Sequence, residues 1–281
     1  MSHSQTPAVP RPTQGFAVLI SLGAFGASEV LRLGQLHFTR VAAAAGADGV
    51  EVREELLRDP DTELPALATE VAVRGLHAVY SCPTGLWRED GRLDEAALHS
   101  ALVAARLLGA TRLKMSIGGY GPASAPDWGQ LKALFQNPSG PELLIENDQT
   151  PEAGSLPALQ GFFAAAQAQG LPLAMTFDMG NWHWVGECPQ AAAQALGARV
   201  GYVHCKGVQR EPGRWVAVPL AQSQAPWRAV LGHLPAEVPW AIEYPLQGTD
   251  LTAVVQAELA LLRREARRLR EARAERAHAL A

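Results

Sequence analysis

Eight short apolar runs recur along this chain, each followed by a longer stretch of helical patterning, and that alternation constrains the fold more than any other feature. The runs occupy residues 16–20, 49–52, 77–81, 112–116, 143–146, 173–178, 200–204 and 240–243. Between them lie Ala- and Leu-rich segments such as 93–108, 156–169 and 189–196. Several of these stop at a glycine (Gly75, Gly109, Gly170, Gly197), the residue that most readily caps a helix C-terminus. Eight strand–helix pairs in 281 residues predict one closed parallel sheet wrapped in helices, an α/β fold of the (β/α)8 TIM-barrel type, which takes about 250 residues. A doubly wound open sheet is the alternative. It usually opens on a Gly-rich phosphate loop, and Gly23-Ala24-Phe25-Gly26 is a poor match to one. The chain shows no internal repeat and no interdomain linker.

The ends of the barrel can be placed from polarity. Residues 1–14 are polar and Pro-containing, lack the basic-then-apolar pattern of a signal peptide, and read as a disordered tail. The barrel is expected over 15–262. A last helical pattern runs from 251 to about 279. Its inner half packs through Leu251, Val255, Leu259 and Leu262, and 263–281 is expected to be a polar extension that projects. No apolar run reaches the roughly 18 residues of a membrane span. Three cysteines without C-x-x-C spacing (Cys82, Cys188, Cys205) suit a reducing cytoplasm. The net charge is −4, and residues 263–281 hold seven Arg and three Glu, a net +4, which leaves −8 on the rest. An acidic barrel suits neither a phosphate backbone nor a membrane surface, so the expected partner is a small molecule. A homo-oligomer is compatible with this reading.

Each of the last four runs closes on an ionisable residue: Glu146, Asp178, His204 and Glu243. One such residue alone is usually a solvated strand end. Four on successive strands are different, because barrel side chains at the C-terminal strand ends converge on one site. Three carboxylates in a small cavity require a compensating cation. Oxygen-rich ligation with one imidazole favours one divalent metal, Mn²⁺ first and Mg²⁺ or Co²⁺ next, over a thiolate-type zinc site.

The segments Leu144-Ile145-Glu146-Asn147, Thr176-Phe177-Asp178-Met179-Gly180-Asn181, Tyr202-Val203-His204-Cys205-Lys206 and Ala241-Ile242-Glu243-Tyr244 resemble the sugar isomerase/epimerase branch of the xylose-isomerase-like barrels. Residues 46–51 resemble that family's second strand, and the likeness covers about 15–248. The order Glu, Asp, His, Glu is similar to the ketose 3-epimerase pattern. There these residues hold one metal and the two Glu flank the substrate. The resemblance implies catalytic roles for Glu146 and Glu243, and substrate contacts at Glu152 and Arg210. One position departs: Asn181 stands where those epimerases have a His, and His183 follows two residues later. The wording around 178–182 resembles proteins associated with 2-ketogluconate utilisation.

Strand parity adds candidates without the family. Lys206 shares a face with His204, Glu51 with Arg53, and Lys114 with Ser116. Two of the chain's three lysines, Lys114 and Lys206, thus lie near strand ends, where they can hold a substrate carboxylate or phosphate; the plainer role is a solubilising charge. Trp87, Trp182 and Trp184 are candidates to stack on a sugar or to anchor loops. The expected activity is a metal-dependent isomerase or epimerase of a keto-sugar or sugar-derived keto acid, working by proton transfer through an enediolate. An inosose-dehydratase-like lyase on the same metal site is the alternative. An endonuclease of the related DNA-repair branch fits less well, because that branch uses a His-rich, multi-metal site.

Overall fold

A computed structural model of the chain describes residues 16–122, 124, 128–135 and 140–280, so the expected tail over 1–14 lies outside the described residues. Among these residues eight parallel strands close into a barrel: β1 (Val18–Ser21), β2 (Gly49–Arg53), β3 (His77–Ser81), β4 (Arg112–Ser116), β5 (Glu142–Glu146), β6 (Ala174–Asp178), β7 (Val200–Cys205) and, last, β10 (Trp240–Ile242). The helices are α1 (Ala27–Leu33), α2 (Gln35–Ala44), α3 (Pro60–Arg74), α4 (Glu95–Leu108), α5 (Trp128–Leu134), α6 (Pro151–Gly154), α7 (Leu156–Ala168), α8 (Pro189–Leu196), α9 (Trp227–His233) and α10 (Leu251–Leu280). The expected TIM barrel is the observed fold. The eighth apolar run extends to Glu243 in the sequence; its strand ends at Ile242, although the Glu243 N–H still donates to the Cys205 carbonyl at 3.0 Å.

Parity explains both the core and the site. Leu19, Val79, Leu144, Tyr202 and Ala241 meet inside the barrel. Their neighbours Val18, Ile20, Leu143, Ile145, Val203 and Ile242 face the layer between sheet and helices. Two residues further along each strand, the inward face changes character to Ser21, Ser81, Glu146, His204 and Glu243. The barrel is therefore apolar at the bottom and ionisable at the top, where the strands end. One irregularity tunes this row. Between β6 and β7 the register slips at Gly201, so Met175 faces Val200 while Thr176 faces Tyr202. The extra residue brings His204 opposite Asp178, as bulges beside active sites commonly do.

Helix ends follow the glycines only in part. Gly75 and Gly109 adopt the left-handed form after α3 and α4. Gly197 follows α8 in a right-handed conformation instead, and a Cβ there would lie 2.7 Å from the His233 carbonyl oxygen. Two features depart from expectation. First, β7 leads into an antiparallel hairpin, β8 (Gly207–Glu211) and β9 (Arg214–Val218), turning through Pro212-Gly213. Second, the polar extension expected from 263 onward does not project from its start. Glu265, Ala266 and Leu269 are buried, and Glu265 accepts from Arg228. Arg273 donates to the Gly232 carbonyl, and from Ala274 to Ala279 the helix is exposed. An Arg-rich face can pack because its stems are apolar and its heads find carbonyls and carboxylates.

Candidate metal centre

Glu146 at the end of β5, Asp178 at the end of β6, His204 on β7 and Glu243 after β10 each offer one ligand atom, and these atoms all lie within 4.8 Å of one another. His204 is fully buried and its ring is fixed from both sides. Nε2 lies 2.7 Å from Glu51 Oε2, and Nδ1 lies 3.0 Å from Glu146 Oε1 and 2.9 Å from Glu243 Oε2. The carboxylate of Glu51, itself held by the Ser21 hydroxyl at 3.2 Å, thus turns Nδ1 toward the cluster. This is the carboxylate–histidine pairing that metal sites use to fix a ligating ring.

Asp178 is fixed by backbone. Its Oδ1 accepts from the N–H groups of Gly180 at 2.7 Å and Asn181 at 3.0 Å. Asn147, also buried, pairs with the Asp178 main chain in both directions, at 2.9 and 3.0 Å. That leaves Oδ2 facing the cluster, 2.6 Å from Lys206 Nζ. Lys206 also reaches Glu243 Oε2 at 2.9 Å and Asn181 Oδ1 at 3.1 Å. Its stem lies across Gly180, where a Cβ would sit 2.7 Å from Lys206 Cδ. Lys114 pairs with Glu146, and Arg53 Nη1 lies 2.6 Å from Glu243 Oε1.

The electrostatics suit a cation. Burial would raise Glu146, but Lys114 and His204 hold its carboxyl down to about 2. Glu243 is likewise held well below the usual range, against burial, by His204, Lys206 and Arg53. Asp178 goes the other way: burial and the neighbouring Glu243 push it up to about 7 despite Lys206. A fully buried carboxylate that its surroundings leave short of positive charge is one a metal ion would satisfy. Three carboxylate oxygens and one imidazole nitrogen within this span fit a hard divalent ion.

A cavity of about 330 Å³ opens above the cluster, lined by Glu146, Glu243, Lys114, Lys206, Asn181 and Arg53 together with Ser81, Cys82, Pro83, Ser116, Asp148 and Gln149. The expected substrate contacts divide sharply here. Lys114, Lys206 and Asn181 line the cavity. Glu51, expected to touch substrate, does not line it: the residue is fully buried beneath His204, with its carboxylate 2.7 Å from Nε2. Glu152 is exposed on α6, and Arg210 is exposed on β8 with its guanidinium 5.2 Å from the Trp215 ring centre. Neither lines the cavity. His183 packs against Trp215, with ring centres 4.7 Å apart and planes tilted by 47°, and lines a neighbouring, largely apolar cavity of about 250 Å³ that also reaches Lys206. Of the indoles, Trp182 and Trp87 are buried packing residues, the former against Phe177. Arg53 and Ser81 were missing from the expected site, although parity with Glu51 was a signal for Arg53.

No family model matches the chain, and no curated protein matches it. Solved structures do. An L-ribulose 3-epimerase superimposes with a TM-score of 0.67 at 18% identity, covering 92% of this chain and 97% of that one. The D-allulose 3-epimerase from Methylomonas sp., solved with D-allulose, gives 0.61 at 17% identity over 89% and 97%. A probable 3-DHS dehydratase from Bacillus anthracis gives 0.63 at 14% identity over 88% and 98%. At these identities the likeness shows the fold, a TIM barrel shared along almost its whole length with ketose 3-epimerases.

Proposed function

We propose that this chain is a divalent-metal-dependent isomerase or epimerase of a keto-sugar or sugar-derived keto acid. The observation that carries the proposal is the placement of Glu146 and Glu243. They reach the cluster from β5 and from the end of β10, both line the cavity, and both lie within hydrogen-bond distance of the same His204 nitrogen. Glu146, Asp178, His204 and Glu243 would hold the ion, which supplies a Lewis acid for the substrate carbonyl. Lys114 and His204 keep Glu146 ionised, and His204, Lys206 and Arg53 do the same for Glu243. Because the two carboxylates reach the cavity from different strands, one would accept a proton from a carbon beside the carbonyl and the other would return one from its own side. The rim residues Asn181 and Lys206 orient the substrate's hydroxyls. The sugar named for the allulose epimerase structure supports the substrate class.

A lyase on the same site is the second reading, favoured by the likeness to the probable 3-DHS dehydratase. Incubation with a panel of keto-sugars and keto acids and Mn²⁺ in deuterated water, followed by NMR, separates the two. Exchange at one C–H with a new diastereomer or isomer supports the proposal, and an elimination product supports the lyase. Full activity in a chelator-treated, metal-free sample would remove the metal from either.

A further inference from the structure

We infer that the substrate carries an anionic group, carboxylate or phosphate, bound by a row of side chains from Arg53, Ser81 and Lys114 across the cavity from the metal ligands of β6 and β7. This rests on the proposed metal-centred reaction and narrows its substrate. In the sheet register Arg53 is the partner of Ser81, and Ser81 is the partner of Lys114. Register partners in a parallel sheet point to the same face, so three adjacent strands, β2, β3 and β4, present guanidinium, hydroxyl and ammonium side by side. All three line the cavity.

Two of the three have donors to spare. Among the described residues the buried Ser81 hydroxyl has no hydrogen-bond partner, and the residue is 1% exposed. Lys114, 2% exposed, has three N–H donors and among the described residues gives one hydrogen bond, to Glu146. Buried donors left unpaired are costly, and two of them adjacent on a cavity wall point to a ligand that supplies acceptors. The charge defines the ligand. Arg53 spends its outer edge on Glu55 at 2.9 Å and its inner edge on Glu243. Once Glu146 and Glu243 share a divalent ion, their hold on Lys114 and Arg53 is divided with that ion, whose own charge must enter the local balance. A buried ammonium and a partly exposed guanidinium beside a metal ion favour an anion over a neutral hydroxyl. An oxyanion with two or three acceptor oxygens matches a guanidinium, a hydroxyl and an ammonium in a row.

The test is calorimetric titration of the Mn²⁺-loaded protein with D-fructose, with the 2-keto acid in which fructose C1 is oxidised to carboxylate, and with D-fructose 6-phosphate. One of the anionic ligands should bind about tenfold or more tightly than D-fructose, the scale of one charge-assisted hydrogen bond. The advantage should shrink with added salt. Which anion wins tells carboxylate from phosphate. Ser81→Ala and Lys114→Met should each erase most of the preference, read within each Mn²⁺-loaded variant as the ratio of anion affinity to D-fructose affinity. Ser81→Ala removes only a hydroxyl, so it serves where the lysine variant fails to fold. Equal affinity for all three ligands, or a preference that survives in Ser81→Ala and in a folded Lys114→Met, overturns the anion row. Failure of Mn²⁺ itself to bind, seen in the preceding metal titration, overturns the metal-centred reading instead.

Discussion

Glu51 shows how one buried carboxylate can govern a site it does not line. Its inward direction was legible from parity, but its depth was not, because depth depends on how far each strand is staggered in the barrel. The structure places it beneath His204, where it decides which ring nitrogen faces the other carboxylates. Glu51→Gln keeps the shape and loses the charge. We expect Mn²⁺ affinity to fall about 10- to 100-fold, the usual cost of losing an outer partner of a ligating imidazole. Electron paramagnetic resonance of free Mn²⁺ during a titration reads this directly, and an unchanged affinity would reduce Glu51 to a packing role. Gly180 makes a second case. Its missing side chain leaves room for the Lys206 stem. Gly180→Ala should displace that stem and slow turnover several-fold or more, with the fold intact by circular dichroism. Wild-type turnover would show that the position of Lys206 is immaterial to the chemistry. The candidate ligands were legible because each closes an apolar run. Arg53 and Ser81 carry no such mark, since their significance appears only when neighbouring strands are set in register.

At the level of elements, strands were easier to read than the segments that join them. A strand buried on both faces writes a dense apolar run, while loops and exposed helices write almost nothing. The hairpin β8–β9 had a signal in Pro212-Gly213 between two alternating stretches, but a barrel template does not ask for it. Because that hairpin carries Arg210 away from the cavity, a substrate contact transferred from a family pattern could not anticipate its position. Helix α10 teaches a related point, since its Arg-rich half reads as solvated yet packs as far as Arg273. Leu269→Ala should cost about 2–5 kcal/mol, the range for truncating a buried leucine. Deletion of residues 274–281 should change stability by no more than about 0.5 kcal/mol, as is usual for changes away from packed features, because 274–279 are exposed. Urea denaturation distinguishes them, and equal effects would show that packing ends before Leu269.

For the whole molecule, the expected sign of metal binding is stabilisation. An ion that binds the folded chain and not the unfolded one adds about 2.7 kcal/mol at a concentration 100 times its Kd. For a chain of this size that corresponds to a rise in Tm of about 5 °C. A thermal melt with and without Mn²⁺, and again after chelation, measures it; no shift at saturating Mn²⁺ would mean that the four residues do not hold the ion. Among the described residues no helix is long and apolar enough to cross a membrane.

The barrel divides its labour along the chain. The Arg53–Ser81–Lys114 row belongs to β2, β3 and β4, and the cluster's residues belong to β5, β6, β7 and the end of β10. The two sets touch where Lys114 pairs with Glu146 and Arg53 with Glu243, so they are not free to mutate independently. A lineage that traded one substrate head group for another in the first half of the gene would have to keep those two charge pairs, or retune the second half along with them.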